Sequence, residues 1–195
     1  MYTLKHHGIK GQKWGIKNGP PYPIGESNDT LFISGSSKTQ DPESPYFRKL
    51  PKDIRKEIDS HIKKKDKIVV GDAPGIDRQV QDYLKKKRYS NVEIYGPGKK
   101  VRYNANKQWK ENAIDDPDHE EMSPEWLRKK DIAMTDASTK GLAIILDEGS
   151  KATRNNIDRL IDQNKDVKIF QLDKSGKKFD KWIDKYSYIK MKDIK

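Results

Sequence analysis

The chain has 195 residues, of which 36% are charged and 32% hydrophobic, and it contains no cysteine. That length fits one domain with tails, so polar a composition predicts a compact core over only part of the chain, and the missing thiols exclude disulfides, thiolate zinc sites, iron–sulfur clusters and a cysteine nucleophile. The net charge of +11 sits mostly at the ends: four lysines against one glutamate in 1–28 and eight lysines against three aspartates in 174–195 leave +3 for 29–173, a pattern of basic appendages on a nearly balanced core.

Residues 1–28 hold five glycines and three prolines with no period of 2 or 3.6, and read as a flexible, disordered basic segment. From Thr30 the pattern changes. Leu31-Phe32-Ile33, Lys67-Ile68-Val69-Val70, Val92-Glu93-Ile94-Tyr95, Leu142-Ala143-Ile144-Ile145-Leu146 and Val167-Lys168-Ile169-Phe170 are short apolar runs, and the first four end in turns rich in Gly, Ser or Asp. Amphipathic helices lie between them. Leu50, Ile54, Ile58 and Ile62 recur every four residues, Ile76, Val80, Tyr83 and Leu84 share a face, and so do Ile157, Leu160 and Ile161. Unalternated strands separated by helices predict an α/β fold, a Rossmann-like and mostly parallel sheet of about five strands covered on both faces. The polar stretch 99–123, with Trp109 and an acidic run from Asp115 to Glu121, reads as a long loop or insertion. In the basic tail 174–195, Phe179, Trp182, Ile183 and Tyr186 have the spacing of a C-terminal amphipathic helix. The boundaries are therefore 1–28, a ligand-binding domain over 29–173, and the tail.

No apolar run approaches the roughly 18 residues of a membrane span, and the first residues lack the apolar stretch of a secretion signal. A cytoplasmic protein with no membrane partner is expected.

In open parallel sheets, ligands bind beyond the carboxyl ends of the strands. Three strands here run into turns at Ser34–Ser37, Gly71–Asp77 and Asp147–Thr153. Glycine lets the backbone approach a ligand, and a helix N-terminus presents free N–H groups and a positive dipole end. A phosphate or carboxylate is the natural guest, of a nucleotide-like kind, held by Ser34, Gly35, Ser36, Gly71, Gly75, Gly149, Ser150 and Thr153, with Asp77 and Asn156 facing the sugar or base. Asp72, Asp77 and Asp147 are the carboxylates of these turns, and either cap helices or act on a ligand. Arg102 and Arg128 have the forked donors that suit phosphate oxygens. His6, His7, His61 and His119 are too few and badly spaced for a metal site, so no metal and no cofactor are expected.

Gly71-Asp72-Ala73-Pro74-Gly75-Ile76-Asp77-Arg78 resembles the second-strand motif of the SLOG superfamily, the group that includes DNA-processing protein A, the LOG phosphoribohydrolases and the YspA-like proteins. The YspA-like branch looks nearest. Ser34-Gly35-Ser36 is similar to its first phosphate-facing turn, Val101-Arg102-Tyr103-Asn104 to its Arg-x-Asn segment, and Arg128-Lys129-Lys130-Asp131-Ile132-Ala133-Met134 to its Lys/Arg-Asp-x-x-Met helix. Asp147 to Asn156 resembles its Asp-Gly-x-Ser-x-Gly-Thr-x-x-Asn turn. The resemblance spans Thr30 to Leu172. Two departures stand out. Ala152 replaces a usual Gly, and Asn156 occupies the position of the catalytic Glu of the LOG hydrolases. An amide is no general base.

The resemblance implies a module that binds a nucleotide or NAD-derived small molecule, as sensor or sequestering protein, and at least a homodimer. The alternative is an N-glycosidase using Asp72, Asp77 or Asp147. A third reading is single-stranded DNA binding, against which the nearly balanced core argues. His6-His7-Gly8-Ile9-Lys10-Gly11-Gln12-Lys13-Trp14-Gly15 resembles a segment recurring in phage- and prophage-encoded proteins of Firmicutes. It implies a phage source in a bacterial host and routing into a virion particle.

Overall fold

The computed structural model describes residues 29–146, 150–173, 175 and 180–193, so the expectations for 1–28, Asp147, Gly149 and Phe179 lie outside the described residues. One sheet organises the fold, built from β1 (Thr30–Gly35), β2 (Lys67–Gly71), β3 (Val92–Pro97), β4 (Lys110–Ile114), β5 (Lys140–Leu146), β6 (Asp166–Leu172) and β7 (Lys181–Ile183). The strand order is β4-β3-β2-β1-β5-β6-β7. Every neighbouring pair is parallel except β6–β7. The helices are α1 (Lys52–Lys64), α2 (Ile76–Lys86), α3 (Pro124–Ala137), α4 (Lys151–Asp162) and α5 (Lys185–Asp193), with a 3₁₀ turn at Ser37–Gln40. The α/β, Rossmann-like expectation holds, with seven strands rather than about five.

The apolar runs do not alternate because both faces of the sheet are covered. On one face, Leu31, Ile33, Ile68, Val70, Ile94 and Ile144 pack with Ile54 and Ile58 of α1 and Ile76, Val80 and Leu84 of α2. On the other, Phe32 and Val69 meet Met134 of α3 and Leu160 of α4, while Ala143, Ile145 and Ile169 meet Ile157 of α4 and Tyr188 of α5.

Two expectations need correction. The stretch 99–123 is not all loop, because Lys110–Ile114 adds parallel strand β4 beside β3, from Glu93↔Lys110 to Pro97↔Ile114. The strand is polar because it is an edge. Lys67 and Lys110 hold Glu93 between them, at 3.0 and 3.2 Å. Trp109, immediately before it, is buried and donates Nε1 to the Tyr89 carbonyl at 2.9 Å. The predicted helix through Trp182, Ile183 and Tyr186 is split. Trp182 and Ile183 extend the sheet antiparallel to β6, opposite Phe170 and Ile169, and the Phe170–Trp182 rings meet edge-on at 4.7 Å. Cross-strand aromatic contact thus outweighs helical spacing. The helix starts only after Asp184, whose Oδ1 accepts from the Ser187 N–H at 2.8 Å.

Among the described residues, no helix is long and apolar enough to cross a membrane.

Candidate functional site

Strands β2, β3 and β4 lie on one side of β1, and β5, β6 and β7 on the other. The chain direction of the sheet therefore reverses between β1 and β5. This is the switch point at which α/β sheets open a crevice beyond their carboxyl ends. A cavity of about 330 Å³ sits there, at the lower end of the range for small-molecule sites. It brings together eight of the predicted residues: Ser34, Gly35 and Ser36 after β1, Asp77 of α2, Arg102, and Ser150, Thr153 and Asn156 of the α4 entrance.

Several predicted residues do other work. Asp72 is fully buried behind the cavity, where its Oδ2 accepts from Arg102 Nε and from the Arg102 backbone N–H, both at 2.9 Å, and its Oδ1 from Nη2 at 2.5 Å. Most of the Arg102 fork is spent on this carboxylate, which holds its guanidinium above its ordinary pKa range. Gly71 leaves room behind the site, since a side chain there would collide with Asp77 Oδ2 and come within 3.0 Å of Lys130 Nζ. Gly75 has φ +87°, and a Cβ would lie 2.6 Å from the Ser36 carbonyl oxygen. It is the joint between the end of β1 and the start of α2, and it does not line the cavity. Arg128 is exposed on α3 and does not line it either. At 100° per residue, two residues along the helix is 200° around it. The side chain turned inward is Lys130.

Lys130 and Asp131 are the residues that sequence reasoning missed. The signal was present in the segment compared with the Lys/Arg-Asp-x-x-Met helix, because Lys130-Asp131-Ile132-Ala133-Met134 fits that spacing. Lys130 Nζ is buried 2.9 Å from Asp131 Oδ1. Burial opposes its charge, but Asp131 and then Asp77 outweigh that and hold the ammonium above its ordinary range. Asp77 is buried too, and accepts weakly from the Ala73 N–H at 3.3 Å. Its desolvation is only partly offset by Lys130, which leaves the carboxyl at a pKa of about 7. At neutral pH the cavity thus contains a fixed cation beside a carboxyl that exchanges a proton readily.

Opposite these groups is the first turn of α4. Ser150 stands at its N-cap but spends its Oγ on the Leu146 N–H, at 3.2 Å, and makes no cap bond to the helix. Lys151, Ala152 and Thr153 face the cavity there. Asn156, one turn on, donates Nδ2 to Ser34 Oγ at 2.9 Å, and its Oδ1 accepts from Arg159. The amide locks α4 to the end of β1. Phe32, Leu127 and Met134 supply an apolar wall. The site thus has an anion-favouring end at α4, an apolar side, and a proton-exchanging carboxyl between them.

No protein-family model matches the chain, and no curated protein matches its sequence.

Proposed function

We propose that the chain binds a nucleotide or NAD-derived small molecule in this cavity, as a sensor or sequestering module. The observation that carries the reading is the first turn of α4 at the sheet's switch point, where the helix N-terminus opens into a cavity that Lys38 and Lys151 also line. On the facing wall Lys130 offsets the charge of Asp131 and Asp77. The helix end and the two lysines favour a negatively charged guest. Phosphate fits at Ser36–Lys38 and Lys151–Thr153, and the sugar or base fits against Phe32 and Met134. Calorimetry with AMP, GMP, NAD and ADP-ribose tests it. Ala152→Glu adds a carboxylate in the first turn of α4, which the helix dipole favours and a phosphate does not. The variant should keep the wild-type melting temperature and lose at least tenfold in affinity. Unchanged affinity would move the phosphate elsewhere.

A second reading, turnover of the N-glycosidic bond, is favoured by one feature. Asp77, with its pKa of about 7, suits proton transfer at neutral pH. Of the other two carboxylates, Asp72 is locked to Arg102 and Asp147 lies outside the described residues. Release of free base from nucleoside monophosphates or NAD, lost in Asp77→Asn, would establish it.

Phage origin, particle association and homo-oligomerisation complete the proposal and rest on sequence resemblance alone. Deleting 1–28 should abolish association with a particle, leave nucleotide binding intact, and barely change the melting temperature. A large drop in melting temperature would make the segment part of the folded core.

A further inference from the structure

A second cavity, of about 610 Å³, adjoins the first, and Gln40 and Pro74 line both. Its walls come from the segment after the 3₁₀ turn, from α1 and from α2. They carry five cations, Arg48, Lys49, Arg55, Arg78 and Lys86. Among the described residues, none of the five is in an ion pair. The one carboxylate on the wall, Asp82, accepts a hydrogen bond from the Tyr103 hydroxyl at 2.7 Å.

Two of the arginines lie over aromatic rings. The Arg48 guanidinium carbon lies 5.0 Å from the centre of the Phe47 ring, and that of Arg78 lies 4.9 Å from the centre of the Tyr103 ring. A cation–π contact holds each guanidinium over its ring and leaves N–H donors for oxygen acceptors. Gln79, on the same wall, donates Nε2 to the Tyr46 carbonyl at 3.1 Å, while its buried Oε1 has no hydrogen-bond partner among the described residues. A ligand hydroxyl or N–H could supply one. Like charges gathered around one cavity repel each other, and a polyanion removes that repulsion.

We propose that the ligand carries a second phosphate-bearing group, which crosses the Gln40–Pro74 ridge into this basic cleft, so that the preferred class is a dinucleotide with phosphates separated by a nucleoside rather than a mononucleotide. The inference rests on the nucleotide reading of the first cavity. One phosphate sits at the α4 entrance, the nucleoside lies over the ridge, and the second phosphate meets Arg55 and Arg78. A mononucleotide monophosphate has one such group and fills only the first cavity.

Calorimetric titration with AMP and pApA, and with GMP and pGpG, tests this on the full-length wild type and on Arg55→Ala/Arg78→Ala. At least one dinucleotide should bind tenfold or more tightly than its mononucleotide. The double variant should lose that advantage and keep the mononucleotide affinity. The single variant Arg55→Ala, at an exposed α1 position, should lose part of the advantage with no change in melting temperature. Equal affinities for dinucleotide and mononucleotide, or an advantage that survives the double substitution, would overturn the inference while leaving the first site standing. If none of the four probes binds the wild type but NAD or ADP-ribose does, this inference fails and the first site stands; if none of the six binds, the nucleotide reading fails with it.

Discussion

Asp77 illustrates how much a single residue's environment decides. Its carboxyl is pushed up to about 7 by burial, with Lys130 pulling against that shift. A carboxyl whose native pKa exceeds its unfolded value holds the proton more tightly when folded. Its contribution to stability is therefore full below about pH 4, the unfolded value, falls as pH rises toward 7, and is flat above. The slope is about 1.4 kcal/mol per pH unit inside that window. Urea unfolding of the wild type at pH 5, 6 and 7 should show this decline, and Asp77→Asn should flatten it. An identical slope in the variant would assign the proton to another group. The place of Asp77 at the strand-end cavity is legible in the sequence, because it lies in the first turn after a Gly-rich strand end. The roles of Arg102 and Lys130 are not. Both are basic residues among 41, and only their partners distinguish them: Asp72 for Arg102 and the Asp77–Asp131 pair for Lys130. Those partners come from other strands and helices, or depend on which way a helix is turned. For the same reason the sequence alone does not separate Arg128 from Lys130 two positions away.

Elements with a strong internal signal were read correctly, and elements fixed by neighbours were not. The five apolar strands and helices α1, α2 and α4 announce themselves by composition and period, whereas α3 is suggested only by the resemblance of 128–134 to a family helix. Strand β4 has no such signal, because an edge strand can be polar and its existence depends on β3. Its anchor is Trp109, which an isolated reading of the insertion leaves unexplained. Gln81 adds a second anchor. It is buried, donates to the Gly71 carbonyl at 2.8 Å, and accepts from the Ala105 N–H at 3.0 Å, tying the insertion to the end of β2. Trp109→Ala should cost about 3–5 kcal/mol, the usual range for removing a buried tryptophan. Hydrogen exchange should then accelerate in 110–114 before it does in β1 or β5. Wild-type protection of that strand in the variant would mean that Trp109 packs without holding β4. At the other edge, β7 shows the opposite failure, where a real helical spacing was overridden by pairing with β6.

At the scale of the whole molecule, the order of strands places the site, since the crevice between β1 and β5 exists only because the chain changes direction there. That order cannot be read from the local pattern, although a ligand at strand ends could be expected for any open parallel sheet. Charge behaves in the same way. A balance of +3 over 29–173 reads as nearly neutral, yet Arg48, Lys49, Arg55, Arg78 and Lys86 converge on one cleft from three separate segments. In the proposed function a phosphate-bearing ligand occupies the cavity at the switch point. Backbone amide chemical-shift mapping of the wild type during titration with AMP and with NAD tests that claim most directly. The largest shifts should fall at Ser36–Lys38 and Lys151–Thr153, with Trp182 and Lys185 at the far edge unmoved. No shifts at millimolar ligand, or shifts confined to β7 and α5, would contradict it.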